Sequence, residues 1–140
     1  MNRIFKRDLS QLGDVFSFLD GFADDVDVGM SIVLPLRLAI EELFTNMVRH
    51  NASSMSDITI SLERDGDKIV VVLIDHEVAT PFDPTRLQEV DTSGDLEDRE
   101  AGGLGIHLVK RMVDEIHYHY SALNQESKIT LIKSVAPQHA

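Results

Sequence analysis

A two-layer α/β sandwich, with a mixed, mostly antiparallel sheet and helices on one face, is the α+β fold class that this sequence predicts. Three observations lead there. Asp57 to Arg64 (DITISLER) and Lys68 to Asp75 (KIVVVLID) are strand-like runs joined by Asp65-Gly66-Asp67, a strong hairpin signal. Two earlier stretches each carry one apolar stripe at helical spacing. With the remaining segments the order reads β-α-α-β-β-α-β-β, which layers helices against one face of a sheet.

Taken in order, residues 2 to 8 form a short edge strand containing Ile4 and Phe5. A helix from about Ser10, its expected N-cap, to Ala23 follows, striped by Leu12, Val15, Phe16, Leu19 and Phe22. Asp24 to Ser31 reads as a connection. Pro35 suits the first turn of the next helix, where its missing N–H costs nothing. Leu36, Ile40, Leu43 and Met47 define the buried side of that helix, widened by Phe44 and Val48, and it ends near Asn51. The first strand of the hairpin alternates, whereas the second is a continuous apolar run, as expected of a strand buried on both faces. His76 to Ala101 has no apolar periodicity and contains Pro81 and Pro84, the character of a lid or binding loop. A helix from Gly103 to Asp114, burying Leu104, Leu108 and Met112, precedes two closing strands near Glu115 to Tyr120 and Lys128 to Ser134.

Composition narrows the function. The 140 residues are 43% apolar, enough for one globular domain covering 1–140. No run approaches the roughly 20 apolar residues of a membrane span. The start of the chain has no apolar leader, so a cytoplasmic protein is expected. With no cysteine there is no disulfide framework or thiolate chemistry. A net charge of −11 argues against duplex nucleic acid, whose phosphates require clustered Lys and Arg. It leaves room for a small phosphate ligand held by backbone amides and a metal ion.

Three features carry candidate chemistry. Glu42, Asn46 and His50 follow one another at i, i+4, i+8 on the flank of the second helix, so their side chains are neighbours. Asp75 ends a buried strand directly before the long loop, where a carboxylate can accept a hydrogen bond from an exocyclic amine. Gly102, Gly103 and Gly105 sit where that loop meets a helix, whose first N–H groups are unpaired donors at the positive end of its dipole. Each feature alone has a plainer reading: a polar border, a strand-ending Asp, a packing device. The combination is far more specific.

In that order, E-x-x-x-N on a helix, an Asp ending a strand and a glycine cluster after a long loop resemble the N box and two glycine boxes of the Bergerat-fold (GHKL, histidine kinase-like) ATPases. Within that superfamily the chain is most similar to the anti-sigma-factor serine/threonine-protein kinases, through LRLAIEELFTNMVRHN, Phe82-Asp83-Pro84-Thr85 and the stretch from Glu97 to Tyr118. The resemblance implies a sandwich binding Mg-ATP, with Asn46 as magnesium ligand, Glu42 as catalytic base and Asp75 as adenine contact. It makes Gly102, Gly103 and Gly105 the phosphate-side glycines, and His50 and the lid residue Arg99 further phosphate neighbours. Its implied partners are a STAS-domain anti-sigma antagonist, phosphorylated on serine, and a sigma factor held inactive by a homodimer. One departure stands out. Glu77 occupies the place where the family's first glycine box has glycine, and Phe82 arrives about two residues late. Either Ala79 takes the glycine's place through a shifted loop, or the adenine edge is altered. The alternative reading is a nucleotide-poor, non-catalytic partner-binding module on the same fold.

Overall fold

In a computed structural model, which describes residues 1–50, 55–78 and 104–135, five strands and three helices form two layers. The strands are β1 (Asn2–Phe5), β2 (Ile58–Asp65), β3 (Lys68–Asp75), β4 (Glu115–Ser121) and β5 (Glu126–Ser134). They run in the order β1-β2-β3-β5-β4, and every pairing among the described residues is antiparallel. The hairpin turn is as short as the sequence implied. Asp65 pairs with Lys68, leaving Gly66 and Asp67 as its two central residues, and Gly66 takes a φ of 62°. That left-handed backbone at the first central position is the reason for a glycine there.

The helices are α1 (Leu12–Asp25), α2 (Met30–His50) and α3 (Leu104–Met112), preceded by a 3-10 turn at Leu9–Gln11. Their entry points differ from the sequence expectation. Ser10 is no cap: its N–H donates to the Asp8 carboxylate at 2.9 Å, which holds that carboxyl below its usual range, and α1 begins at Leu12 without a side-chain cap. Helix α2 starts at Met30, inside the stretch read as a connection, and the Gly29 carbonyl accepts from the N–H groups of Ile32 and Val33. Pro35 therefore lies inside the helix, where it cannot donate to the Ser31 carbonyl. Residues 51–54, which contain the expected helix end at Asn51, lie outside the described residues.

One face of the sheet meets the helices. Ile58, Ile60 and Leu62 of β2, Ile69, Val71 and Leu73 of β3, and Ile129 and Leu131 of β5 are buried against Leu36, Ile40, Leu43, Phe44 and Met47 of α2. Strand β3 does not fit the expectation of burial on both sides. Val70, Val72 and Ile74 are only half-buried, because no described element covers that face. The stripes of two helices differ in part from those expected: Val15, Leu19 and Phe22 of α1 are buried as expected, and Met112 is partly buried against the core. In α1 Phe18 goes inside, while Phe16 stays half-buried with the Arg37 guanidinium 4.3 Å above its ring. In α3 Ile106 and Val109, with Val113 beyond its end, face the core and Leu108 is 55% exposed. That helix is apolar on two sides, so spacing alone could not choose between them.

Phe44 is fully buried between α2 and the sheet. Phe44→Ala is expected to lower the unfolding free energy by about 3–5 kcal/mol, read as a lower urea midpoint at unchanged slope.

Candidate functional site

The second half of α2 does two jobs. Its inner side is core, and the next stripe round the helix presents Glu42 and Asn46. Asn46 is 4% exposed, and neither its Oδ1 nor its Nδ2 has a hydrogen-bond partner among the described residues. An orphaned carboxamide costs about 1–3 kcal/mol. A core position without a ligand is better filled by an apolar side chain of the same size. The amide oxygen is the kind of hard donor a magnesium ion accepts, so the residue fits that ion.

Glu42 is half-buried one turn earlier. Burial raises its carboxyl above the ordinary value, the Glu41 charge adds to the rise, and Arg49 opposes it. Asn46 is close enough to favour the ionised form slightly, without meeting hydrogen-bond geometry. His50 is at the end of α2, exposed, with its protonated form disfavoured by partial burial of the ring and then by Arg49. A cleft of about 510 Å³ opens beside this stripe, between α2 and α3. Its walls include Glu41, Glu42, Thr45 and Arg49 on one side, with Leu108 and Met112 on the other.

Asp75 lies at the end of β3, 5% exposed, and it is not a solitary carboxylate. Arg7, from the segment after β1, forms an ion pair with its Oδ1. The same guanidinium donates through Nε to the Ser56 carbonyl at 3.2 Å and through another nitrogen to the Met47 carbonyl at 3.0 Å. Met47 is one of the last four residues of α2, whose carbonyls have no intrahelical donor, so the cation also sits at the negative end of that helix. Sequence reasoning missed Arg7. A basic residue in a charged N-terminal segment reads as solvated, and its partner is 68 positions away.

After Asp75 the chain is tied down residue by residue. His76 stands 3.3 Å from Thr59 Oγ1 and 3.4 Å from a Glu126 carboxylate oxygen. Glu77 is exposed and takes a φ of 57°. Val78 is buried, its N–H donating to Gln125 at 2.7 Å and its carbonyl accepting from the Tyr120 hydroxyl at 2.7 Å. Gly105 falls in the first turn of α3. Arg99, Gly102 and Gly103, the expected lid over 76–101 beyond Val78, and the alternative glycine position at Ala79 lie outside the described residues. Among the described residues no group of three His, Cys, Asp or Glu side chains is placed to hold a metal ion, and no helix is long and apolar enough to cross a membrane.

Comparison with known proteins gives this geometry a family. The model of the histidine kinase-like ATPase domain matches residues 5–133. The serine-protein kinase RsbW of Listeria monocytogenes serovar 1/2a is 32% identical over 108 residues, covering 73% of this chain and 68% of that protein. RsbW of Listeria innocua serovar 6a is 31% identical over the same length, with the same coverage. A chain in the crystal structure of the SiaB-SiaC complex from Pseudomonas aeruginosa shares the fold, with a TM-score of 0.61 at 15% identity, covering 95% of this chain and 87% of that one. With helix α2, Asp75 and the start of α3 all inside the matched region, the chain belongs to the histidine kinase-like ATPase domain family.

Proposed function

We propose that this protein is a serine-protein kinase that uses Mg-ATP and acts as an anti-sigma factor, with a STAS-domain antagonist as phosphoryl acceptor and a sigma factor as the sequestered partner. The observation that carries the reading is the buried carboxamide of Asn46, without a hydrogen-bond partner among the described residues, one turn from Glu42 on a helix facing the cleft. The similarity to proteins named serine-protein kinase supports the reaction class. The homodimer implied by the sequence resemblance belongs to the same proposal.

In this scheme Asn46 Oδ1 holds the magnesium ion, which when bound neutralises charge on the phosphates. Asp75 accepts the adenine amine, and amides at the start of α3 near Gly105 face the phosphates, with Gly102, Gly103, His50 and Arg99 as further neighbours. Glu42 accepts the proton of the attacking serine hydroxyl as its oxygen bonds to the γ-phosphorus and the bond from that phosphorus to the bridging oxygen breaks. Burial raises the Glu42 carboxyl, which makes it a stronger base than an exposed glutamate when ionised.

Glu77 motivates the second reading, a nucleotide-poor binding module. Its left-handed backbone is the conformation glycine adopts freely, which supports Glu77 as the occupant of the glycine position. Titration of wild type with ATP separates the two readings, since a nucleotide-poor module gives no saturable binding at millimolar ATP.

Four outcomes are expected. Asn46→Ala removes the magnesium-dependent part of ATP binding in calorimetry while the fold persists; unchanged magnesium dependence would exclude this residue as the ligand. Glu42→Gln binds ATP but transfers phosphate to serine about 10²- to 10⁴-fold more slowly. The same variant tests the electrostatics of the site. A carboxyl raised on folding contributes stability below its unfolded pKa that is lost as pH rises through its folded pKa, so at neutral pH ionised Glu42 is a net cost. Glu42→Gln should therefore melt higher than wild type at neutral pH, with the advantage shrinking in acid. Finally, Glu77→Gly relieves about 1 kcal/mol of backbone strain and tightens ATP binding; titrations at fixed magnesium check this, and binding no tighter than wild type would exclude Glu77 as a hindrance at the adenine edge.

A further inference from the structure

Within the proposed nucleotide site, on which this inference rests, we propose that Arg7 is the positioning residue for base recognition. It pins Oδ1 of Asp75, so that Oδ2 alone is presented, as an acceptor, to the amine of an adenine base. The geometry is specific. Arg7 uses its Nε and both terminal nitrogens, and each acceptor comes from a different segment: the Ser56 carbonyl before β2, the Met47 carbonyl in the last turn of α2, and Asp75 at the end of β3. Both charged side chains are withdrawn from water, at 4% exposure for Arg7 and 7% for Asp75. No described residue engages Oδ2.

Two consequences follow from that arrangement. A buried guanidinium that loses its counter-charge is left uncompensated, which is among the costliest changes a core can suffer. The pair therefore stays closed when a base arrives, and Asp75 cannot turn both oxygens toward a ligand. An ionised carboxylate paired with arginine is also acceptor-only. It can receive the exocyclic amine of adenine but meets the carbonyl of hypoxanthine at the same ring position as one acceptor against another. Sites that reject a base by leaving a buried polar group unpaired discriminate more strongly than sites relying on shape. Arg7, from outside the three sequence boxes, thus becomes a determinant of base preference.

The test is calorimetric titration of the full chain with ADP and with inosine diphosphate, for wild type, Arg7→Lys and Arg7→Met, with melting curves recorded for each. Diphosphates reduce the contribution of the triphosphate end. Arg7→Lys keeps the charge but cannot span three acceptors. Its ADP affinity should fall several-fold and its preference for ADP over inosine diphosphate should narrow. Arg7→Met loses the charge, and a single charge-assisted hydrogen bond to the base corresponds to about 10- to 100-fold in ADP affinity. The ratio of ATP affinity with and without magnesium should stay at the wild-type value in both variants, which a general loosening of the site would not preserve. If Arg7→Met fails to fold, Arg7→Lys decides alone. Wild-type ADP affinity and base preference in Arg7→Lys overturn the proposal, as does tighter ADP binding by either variant, which would make Arg7 a competitor of the base. Wild type that binds no adenine nucleotide overturns the nucleotide-site reading itself, and this role with it.

Discussion

The ion pair between Arg7 and Asp75 ties the end of β3 to the end of α2 and the segment just before β2. Sheet pairing and core packing bring β1, α2, β2 and β3 near one another, but the backbone groups that converge at the end of α2 need a common donor. One planar guanidinium supplies it, with fixed donor directions that an ammonium lacks. Both side chains are buried, at 4% and 7% exposure. Desolvation offsets most of the attraction between two such charges.

Helix α2 is under two demands that conflict. Its inner side must be apolar to cover β2, β3 and β5, and the polar stripe beside it must stay close enough to the core to be dry. Dryness strengthens electrostatics in a site of the kind proposed here for phosphoryl transfer. It also leaves Asn46 without a hydrogen-bond partner among the described residues and disfavours the ionised Glu42. The long buried stripe from Val33 to Met47 compensates for both costs. A helix of this length, 21 residues with a proline in its second turn, is secured by packing more than by propensity.

What could be seen in the sequence was whatever rests on local pattern. The β2–β3 hairpin, with its glycine at the turn, and the polar stripe of Glu42 and Asn46 follow from periodicity and turn chemistry. Helix edges were less legible. A cap is a single hydrogen bond, and Ser10 and Asp8 are both good candidates for it. Leu108 was expected on the inward face of α3 because it and the set Ile106, Val109 and Val113 both lie at helical spacings, and only the position of the sheet decides. Arg7 was invisible for a different reason. Its three bonds reach 40, 49 and 68 positions along the chain, and no local pattern encodes such contacts. Glu77 was recognised as a departure by identity, whereas its left-handed backbone is a property of the fold.

The strand order has a consequence for how the chain acquires its core. Strand β5, the last of the described strands along the chain, lies between β3 and β4, and its partners on β3 run from Ser127 opposite Asp75 to Ser134 opposite Lys68. Until it docks, β3 is an unpaired edge with Ile69, Val71 and Leu73 incompletely covered. Closing that gap requires non-local pairing, for which loop-closure entropy is lost before contacts compensate. A nascent chain that has passed β3 but not reached β5 thus holds the β1–β2–β3 half of the sheet with a sticky apolar edge, the kind of species that aggregates or recruits chaperones.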